Sequence, residues 1–309
     1  MNWLLLLEQI LNGFQLGLLL FLLAAGLTLV FGIMDMVNLA HGSLYMMGAY
    51  FCATFTGWTD SFLLGALLTL PAVFLLGVVV EMIALRTLYA RDHLDQVMAT
   101  FGLILFFNEA TRLIWGPIGL VIPLPDFLNQ TVEIIPGAPY PAFRLAIILV
   151  GFFVAGLLYF IVTRTKLGML IRAGASNREM IGALGINIRL LFTLVFGLGA
   201  ALAGLAGLMA GPILSVEIGM GESILILTLV VIVIGGIGSI KGAFIAAILI
   251  GLIDTVGRSF LPEILNLVLP EASASTAAPA ISSMMIYLLM ALVLAIKPQG
   301  LFPPKGVGR

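Results

Sequence analysis

Residues Thr163 to Arg189 read TRTKLGMLIRAGASNREMIGALGINIR, the longest polar interval lying between two strongly apolar runs of the chain. Arg164, Lys166, Arg172, Arg178 and Arg189 place five of the chain's 14 positive charges here, against one acid, Glu179. The interval is not loop-like. Met169, Leu170, Ala173, Met180, Ile181, Ala183 and Leu184 recur at helical spacing, and Gly182 and Gly185 close the pattern as a helix end does. The expected element is one short amphipathic helix outside the bilayer, tethered at both ends by spans and shaped to press on another protein.

Working outward, 61% of the 309 residues are hydrophobic, 9% are charged, and mean hydropathy is +1.21. Soluble domains carry about 25% charged residues, so the chain is an integral membrane protein, and its few scattered charges exclude a nucleic-acid partner. The single cysteine, Cys52, stands in an apolar run and reads as a small buried hydrophobe. The first residues lack a basic n-region and cleavage site, so the first apolar run is expected to stay as a span. No linker divides residues 1–309, which are expected to form a single polytopic membrane domain.

A span needs about 20 apolar residues. Such runs cover 12–31, 39–57, 62–85, 97–115, 143–162, 190–210, 243–260 and 281–296. The run 224–235 is short and suits a half-helix or re-entrant piece. The expectation is an all-α polytopic bundle of about nine helices. Prolines across 116–142 forbid a long helix there, and 261–279 reads as a second acidic, proline-bearing connection. With the basic segment placed in the cytoplasm and the spans alternating, only Arg112, Arg144 and Arg258 fall on the outer side. This asymmetry puts the N-terminus outside and the C-terminus inside. Leu27–Val30 recurs as Leu227–Val230, too few residues to establish a repeat.

Asp35, Asn38 and His41 stand at i, i+3, i+6 beside the second run. Polar groups at membrane depth usually face a cavity or other protein, so Asn38 and His41 are candidates to line or gate a path. The other reading has Asn38 and Asp35 capping the second helix. Glu81, five residues before Arg86, reads as an interfacial acid paired with that arginine, with a coupling carboxylate as the sharper reading. Glu109 with Arg112 and Asp254 with Arg258 have helical ion-pair spacing. No carboxylate falls at the centre of any of the runs. GGIGSIKG, 235–242, fails the phosphate-loop pattern, since Lys241 is followed by Gly242; its small residues instead allow a tight break between helices. Gly197, Gly199, Ala200, Ala203, Gly204, Gly207 and Gly211 make a small-residue packing face. His41 with Ser43 is the only handle for a membrane hydrolase. The two histidines and one cysteine suggest no metal cluster.

Four blocks then carry a resemblance: LTLVFGIMDMVNLAHGSLYMMGAY (27–50), MATFGLILFFNEATRLIWGP (98–117), IRAGASNREMIGALGINIRLLFTLVFGLGAALAGLAGLMAGP (171–212) and GGIGSIKGAFIAAILIGLID (235–254). In this order they resemble the branched-chain amino acid ABC transporter permease family, and within it the shorter of the two membrane subunits. The resemblance implies a bacterial inner-membrane importer in which this chain pairs with a second related permease, two ATP-binding subunits and an extracytoplasmic solute-binding protein. The chain would then bind no cofactor and be no enzyme, with ATP used by its partners. The segment 163–189 becomes the cytoplasmic coupling helix, with Arg172, Ala173 and Gly174 where importers carry E-A-A, followed by Arg178, Glu179, Ala183, Leu184 and Gly185. An ion-gradient-driven carrier, with Glu81 as its ionisable group, is the competing reading.

Overall fold

A computed structural model describes residues 3–36, 38–135 and 137–303; the side chains of residues 134, 135, 178 and 179 lie outside the described set. The elements in order are α1 (Trp3–Met34), α2 (His41–Thr59), α3 (Phe62–Val80), α4 (His93–Trp115), α5 (Asp126–Asn129), β1 (Thr131–Ile135), β2 (Ala138–Pro141), α6 (Ala142–Arg164), α7 (Lys166–Ser176), α8 (Arg178–Ala183), α9 (Ile188–Leu214), α10 (Met220–Gly235), α11 (Ile240–Leu265) and α12 (Glu271–Ile296). Among the described residues seven helices are long and apolar enough to cross a membrane. The all-α polytopic bundle expected from the sequence is what forms.

Small residues set the packing. With little hydrophobic drive between helices inside a bilayer, close backbone approach has to supply contact. A side chain on Gly207 would meet the Tyr45 carbonyl, one on Gly199 the Gly26 carbonyl, and one on Gly204 the Val73 side chain. These three glycines seat α9 against α2, α1 and α3, as the small-residue face implied. Gly13 and Gly17 do the same for α1 against α11, at Leu252 and at Ala247–Ile248. Leu18, Leu20, Leu22, Leu23, Ala24 and Ala25 are fully buried, so α1 is the central post of the bundle.

The pairings give every long helix a direction. The foot of α1 meets α7, where a side chain on Gly174 would touch Ile33. Its opposite end meets the hairpin, where Tyr140 and Arg144 both donate to the Asn12 Oδ1 at 3.0 and 2.7 Å. The two ends of the bundle are called here the basic end and the hairpin end. Arg86, Arg91, Arg164, Lys166, Arg172, Arg189, Lys241 and Lys297 stand at or near the basic end of their helices, whereas Lys305 and Arg309 lie outside the described residues.

Several boundaries differ from the sequence expectation. The proline-rich stretch holds an antiparallel hairpin, with Thr131 opposite Pro141 and Val132 opposite Tyr140, turning at Gly137 (φ +85°). Burial pushes the Tyr140 phenol up to about 12, the largest effect on it, against the lowering influence of Arg144. The second proline-bearing stretch is mostly helical, since α11 runs through Pro262 and α12 starts ten residues before the apolar run, with Pro279 inside it. The glycine break behaves as expected. Gly236 and Gly238 take positive φ, and the Ser239 hydroxyl accepts from the Gly242 N–H to cap α11. The chain after α12 then returns to this break: Leu301 and Phe302 donate their N–H groups to the Ile234 and Gly235 carbonyls, the last acceptors of α10. Lys241 sits over the Phe302 ring.

Candidate functional site: two half-helices and a basic-end platform

The chain between α1 and α2 is not a capped turn at a membrane surface. After Met34, Asp35 takes φ +50° and the backbone doubles back along α1 in non-helical form. α2 then begins at His41, whose ring lies against Gly26: a side chain there would meet its Nε2 at 2.9 Å. Gly26 stands two turns inside α1, about 12 Å from its basic end, so α2 begins at membrane depth. Its N-cap is Ala40 with no side-chain cap bond. The capping reading for Asn38 is therefore overturned. The i, i+3, i+6 spacing also fails to put the three residues on one helical face, because residues 35, 36 and 38–40 are not helical.

α10 supplies the counterpart. It has 16 residues and starts where Gly221 meets Gly42 backbone to backbone: a side chain on either would strike the carbonyl of the other. α2 runs from this meeting point to the hairpin end, and α10 runs from it to the basic end. The 19-residue α2 and the 16-residue α10 thus present their N-termini to each other inside the bundle. The short 224–235 run was legible as a half-helix; that it meets α2 was not.

A shallow cleft opens beside this meeting point, lined by Leu39, Gly42, Ser43, Met46, Ile104, Asn108, Gly221, Glu222 and Leu225. Glu222, in the first turn of α10, is exposed, and it accepts from Asn108 Nδ2 of α4 at 2.6 Å. The sequence reading took GMGES, 219–223, as a turn before the apolar run; the structure places Met220–Ser223 in the first turn of α10, so Glu222 belongs to that helix. The signal available was Glu222 standing next to a strongly apolar run.

Asn38 and His41 lie just behind the cleft wall, buried with 2% and 0% exposure. Neither residue's side chain closes a well-formed hydrogen bond among the described residues, nor does the buried Thr28 hydroxyl of α1. Buried polar groups are nearly always paired, so three orphans around one bend mark it as a place where packing alone does not explain the residues. Ser43 lines the cleft but His41 does not, which leaves the hydrolase idea without a geometry.

Glu81 is fully buried and saturated. It receives Arg86 Nε at 3.2 Å and Nη2 at 2.9 Å, the Tyr89 hydroxyl at 2.7 Å and the Thr193 hydroxyl at 2.7 Å. Residues five apart would stand roughly 140° apart round a regular α-helix. A π-turn over Glu81–Leu85, closed by the Arg86 N–H on the Glu81 carbonyl, brings the two together. Burial first, and then the Glu81 carboxylate, raise the Tyr89 phenol above its ordinary value, so it remains a donor. The paired-acid reading of Glu81 holds, and the pair also ties α3 to α9. Glu109–Arg112 and Asp254–Arg258 form as expected at 3.0 and 2.8 Å.

The segment 163–189 is two helices rather than one. Asn177 ends α7 and caps α8, its Oδ1 accepting from the Met180 N–H at 2.9 Å, and Gly185 at φ +81° closes the segment. The sequence pattern left open which face of the segment meets the bundle. Gly168, Ile171 and Gly174 of α7 and Ile181 of α8 turn into the bundle, while Met169, Arg172, Ala173, Met180, Ala183, Leu184 and Gly185 are exposed. The side chains of Arg178 and Glu179 lie outside the described residues.

Comparison with known proteins adds the following. The family described as branched-chain amino acid transport system / permease component matches residues 9–294. The high-affinity branched-chain amino acid transport system permease protein BraD of Pseudomonas aeruginosa is 31% identical over 265 residues, covering 81% of this chain and 86% of BraD. The corresponding LivH protein of Escherichia coli K12 is 28% identical, covering 82% of this chain and 87% of LivH. LivM of the same strain is 28% identical over 91% of this chain and 67% of its own length. No solved structure matches. A family match across nearly the whole chain, with a relative this similar over most of it, means that the chain belongs to the family of branched-chain amino acid transport permease components.

Proposed function

We propose that this chain is one membrane subunit of an ATP-driven, binding-protein-dependent importer of branched-chain or related small amino acids. The observation that carries the reading is the exposed face of α7 and α8. Met169, Met180 and Leu184 are 55%, 58% and 72% exposed at the basic end, beyond the spans and beside Arg172. Apolar side chains grouped this way on a non-spanning element mark a protein interface. Behind that face Gly174 rests on Ile33, the foot of the central post, and α8 leads directly into α9. A push on the platform is therefore delivered to α1 and α9, the two helices that hold the start of α2.

On this reading the basic end is cytoplasmic, the platform docks on an ATP-binding subunit, and a second related permease completes the path. Asn38 and His41 belong to the bend that the platform moves. The carrier alternative named Glu81 as its ionisable group, and Glu81 is held by three donor side chains.

The test is co-purification of the chain with its ATP-binding subunits, followed by uptake in liposomes. Leu184→Glu together with Arg172→Glu is expected to weaken ATPase capture at least tenfold, as loss of an interface hot spot of about 2 kcal/mol does. The permease should keep the elution profile and melting temperature of the unaltered chain. Undiminished capture by the variant, or uptake by the chain alone in the absence of any ATPase, would overturn the proposal.

A further inference from the structure

Glu222 is an exposed carboxylate at membrane depth. Its position along α10 puts it about 20 Å from the helix's basic end, and its partner Asn108 stands about 22 Å along α4 from the same end. Both distances fall inside a hydrocarbon layer about 30 Å thick. Lipid is a costly neighbour for an ionised group at that depth, so such residues face water or protein and mark solute pathways. The surroundings narrow the choice. Asn108 spends an amide N–H on Glu222 and keeps its carbonyl oxygen as an acceptor. The carboxylate and this carbonyl are acceptors standing together. Behind them Met46, Ile104 and Leu225 are buried and Leu39 is half-buried, so the cleft itself presents little apolar surface.

We propose that Glu222 and Asn108 form the permease's own contact point for the ammonium group of an amino acid during passage. This deepens the importer reading and rests on it for the identity of the solute. A carboxylate and an amide carbonyl standing together complement the ammonium end of a zwitterion. The cleft is shallow and forms one side only, which suits transfer, since a solute held too tightly is not passed on.

The assembled transporter, with both permeases, ATPases and binding protein, provides the test. Glu222→Gln keeps the shape and removes the charge, and is expected to lower leucine uptake about 10- to 100-fold, the value of a charge-assisted hydrogen bond. Glu222→Asp should recover most of that loss. The water path is read separately in the Glu222→Cys variant with a membrane-impermeant trimethylammonium methanethiosulfonate. Cys52, this chain's one native cysteine, is buried, so the chain itself adds little background labelling. Labelling of the introduced thiol above that of the complex without it is the expected result. An introduced thiol that stays unlabelled, unchanged uptake by the Gln variant, or an assembly that falls apart on losing the charge would each assign Glu222 to lipid or to a subunit seam and overturn the proposal. Failure of the importer reading looks different: the unaltered complex would then show no ATP-dependent uptake, whatever the labelling of the Glu222→Cys variant.

Discussion

Gly221→Val is expected to abolish recovery of folded permease, and Gly42→Val to do the same. At either position the added carbon would strike the other glycine's carbonyl, with backbone rather than flexible side chain in the way. Overpacking in a core usually costs about 1–3 kcal/mol. Here neither neighbour can rotate aside, and the two half-helices must separate, so the upper end or beyond applies. The check is the fraction surviving detergent extraction and size-exclusion chromatography as temperature rises. Two comparisons sharpen it. Gly102, with nothing near its missing side chain, should accept alanine without loss and gain up to about 1 kcal/mol of helix propensity. The double alanine variant at 42 and 221 should lose less than the sum of the singles, because both wedges open one gap.

The second large effect belongs to Glu81. Glu81→Ala removes the acceptor shared by Tyr89, Thr193 and Arg86 at the joint between α3 and α9. Arg86, with about a third of its side chain exposed, can turn to water and is left out of the reckoning. Thr193 keeps its bond to the Arg189 carbonyl. The orphaned Tyr89 hydroxyl and the cavity at a fully buried site remain, and together they cost about 2–4 kcal/mol. Glu81→Gln should cost less, since its carbonyl still accepts while its amide faces Arg86. Melting of the purified protein gives the order wild type, Gln, Ala. Equal stability of all three would remove the joint from the account of how α3 is held.

How much of this could be read beforehand follows from what each residue type announces. Composition gave the class, because nothing but a bilayer tolerates so few charges. The small residues of α9 and the GGIGSIKG break were legible, since glycine at those spacings has few other uses. Glu81 with Arg86 was legible as a pair but not as geometry, because spacing five implies opposite faces until a π-turn intervenes. The half-helices were harder. Between Asp35 and Ala40 four of six residues are apolar, so nothing in the pattern announces that the helix stops at Met34 and the next one starts only at His41. Glu222 was hidden by Gly219 and Gly221 before it and Ser223 after it, which imitate a surface turn. In the platform, the periodicity of apolar residues found helix and an outward apolar face, but not the face that rests on the bundle. Gly168 and Gly174 pack closely by being small, and a hydrophobicity pattern gives glycine no weight. Asn177 was the missed divider, an ordinary cap residue inside an otherwise continuous pattern.

The chain's return from α12 to the end of α10 has a practical bearing on how the protein can be handled. Leu301 and Phe302 stand in for the next turn that α10 lacks, and Gly300, at φ +84°, lets them approach Gly236. A reporter or affinity tag joined after Ile296, at the apparent end of the last span, would therefore strip two acceptors of their donors at the foot of a half-helix. Joined after residue 303 it would leave them untouched. A topology series of fusions at successive positions from 296 to 309 should show poor expression first and then a sharp recovery, with the step falling at Phe302.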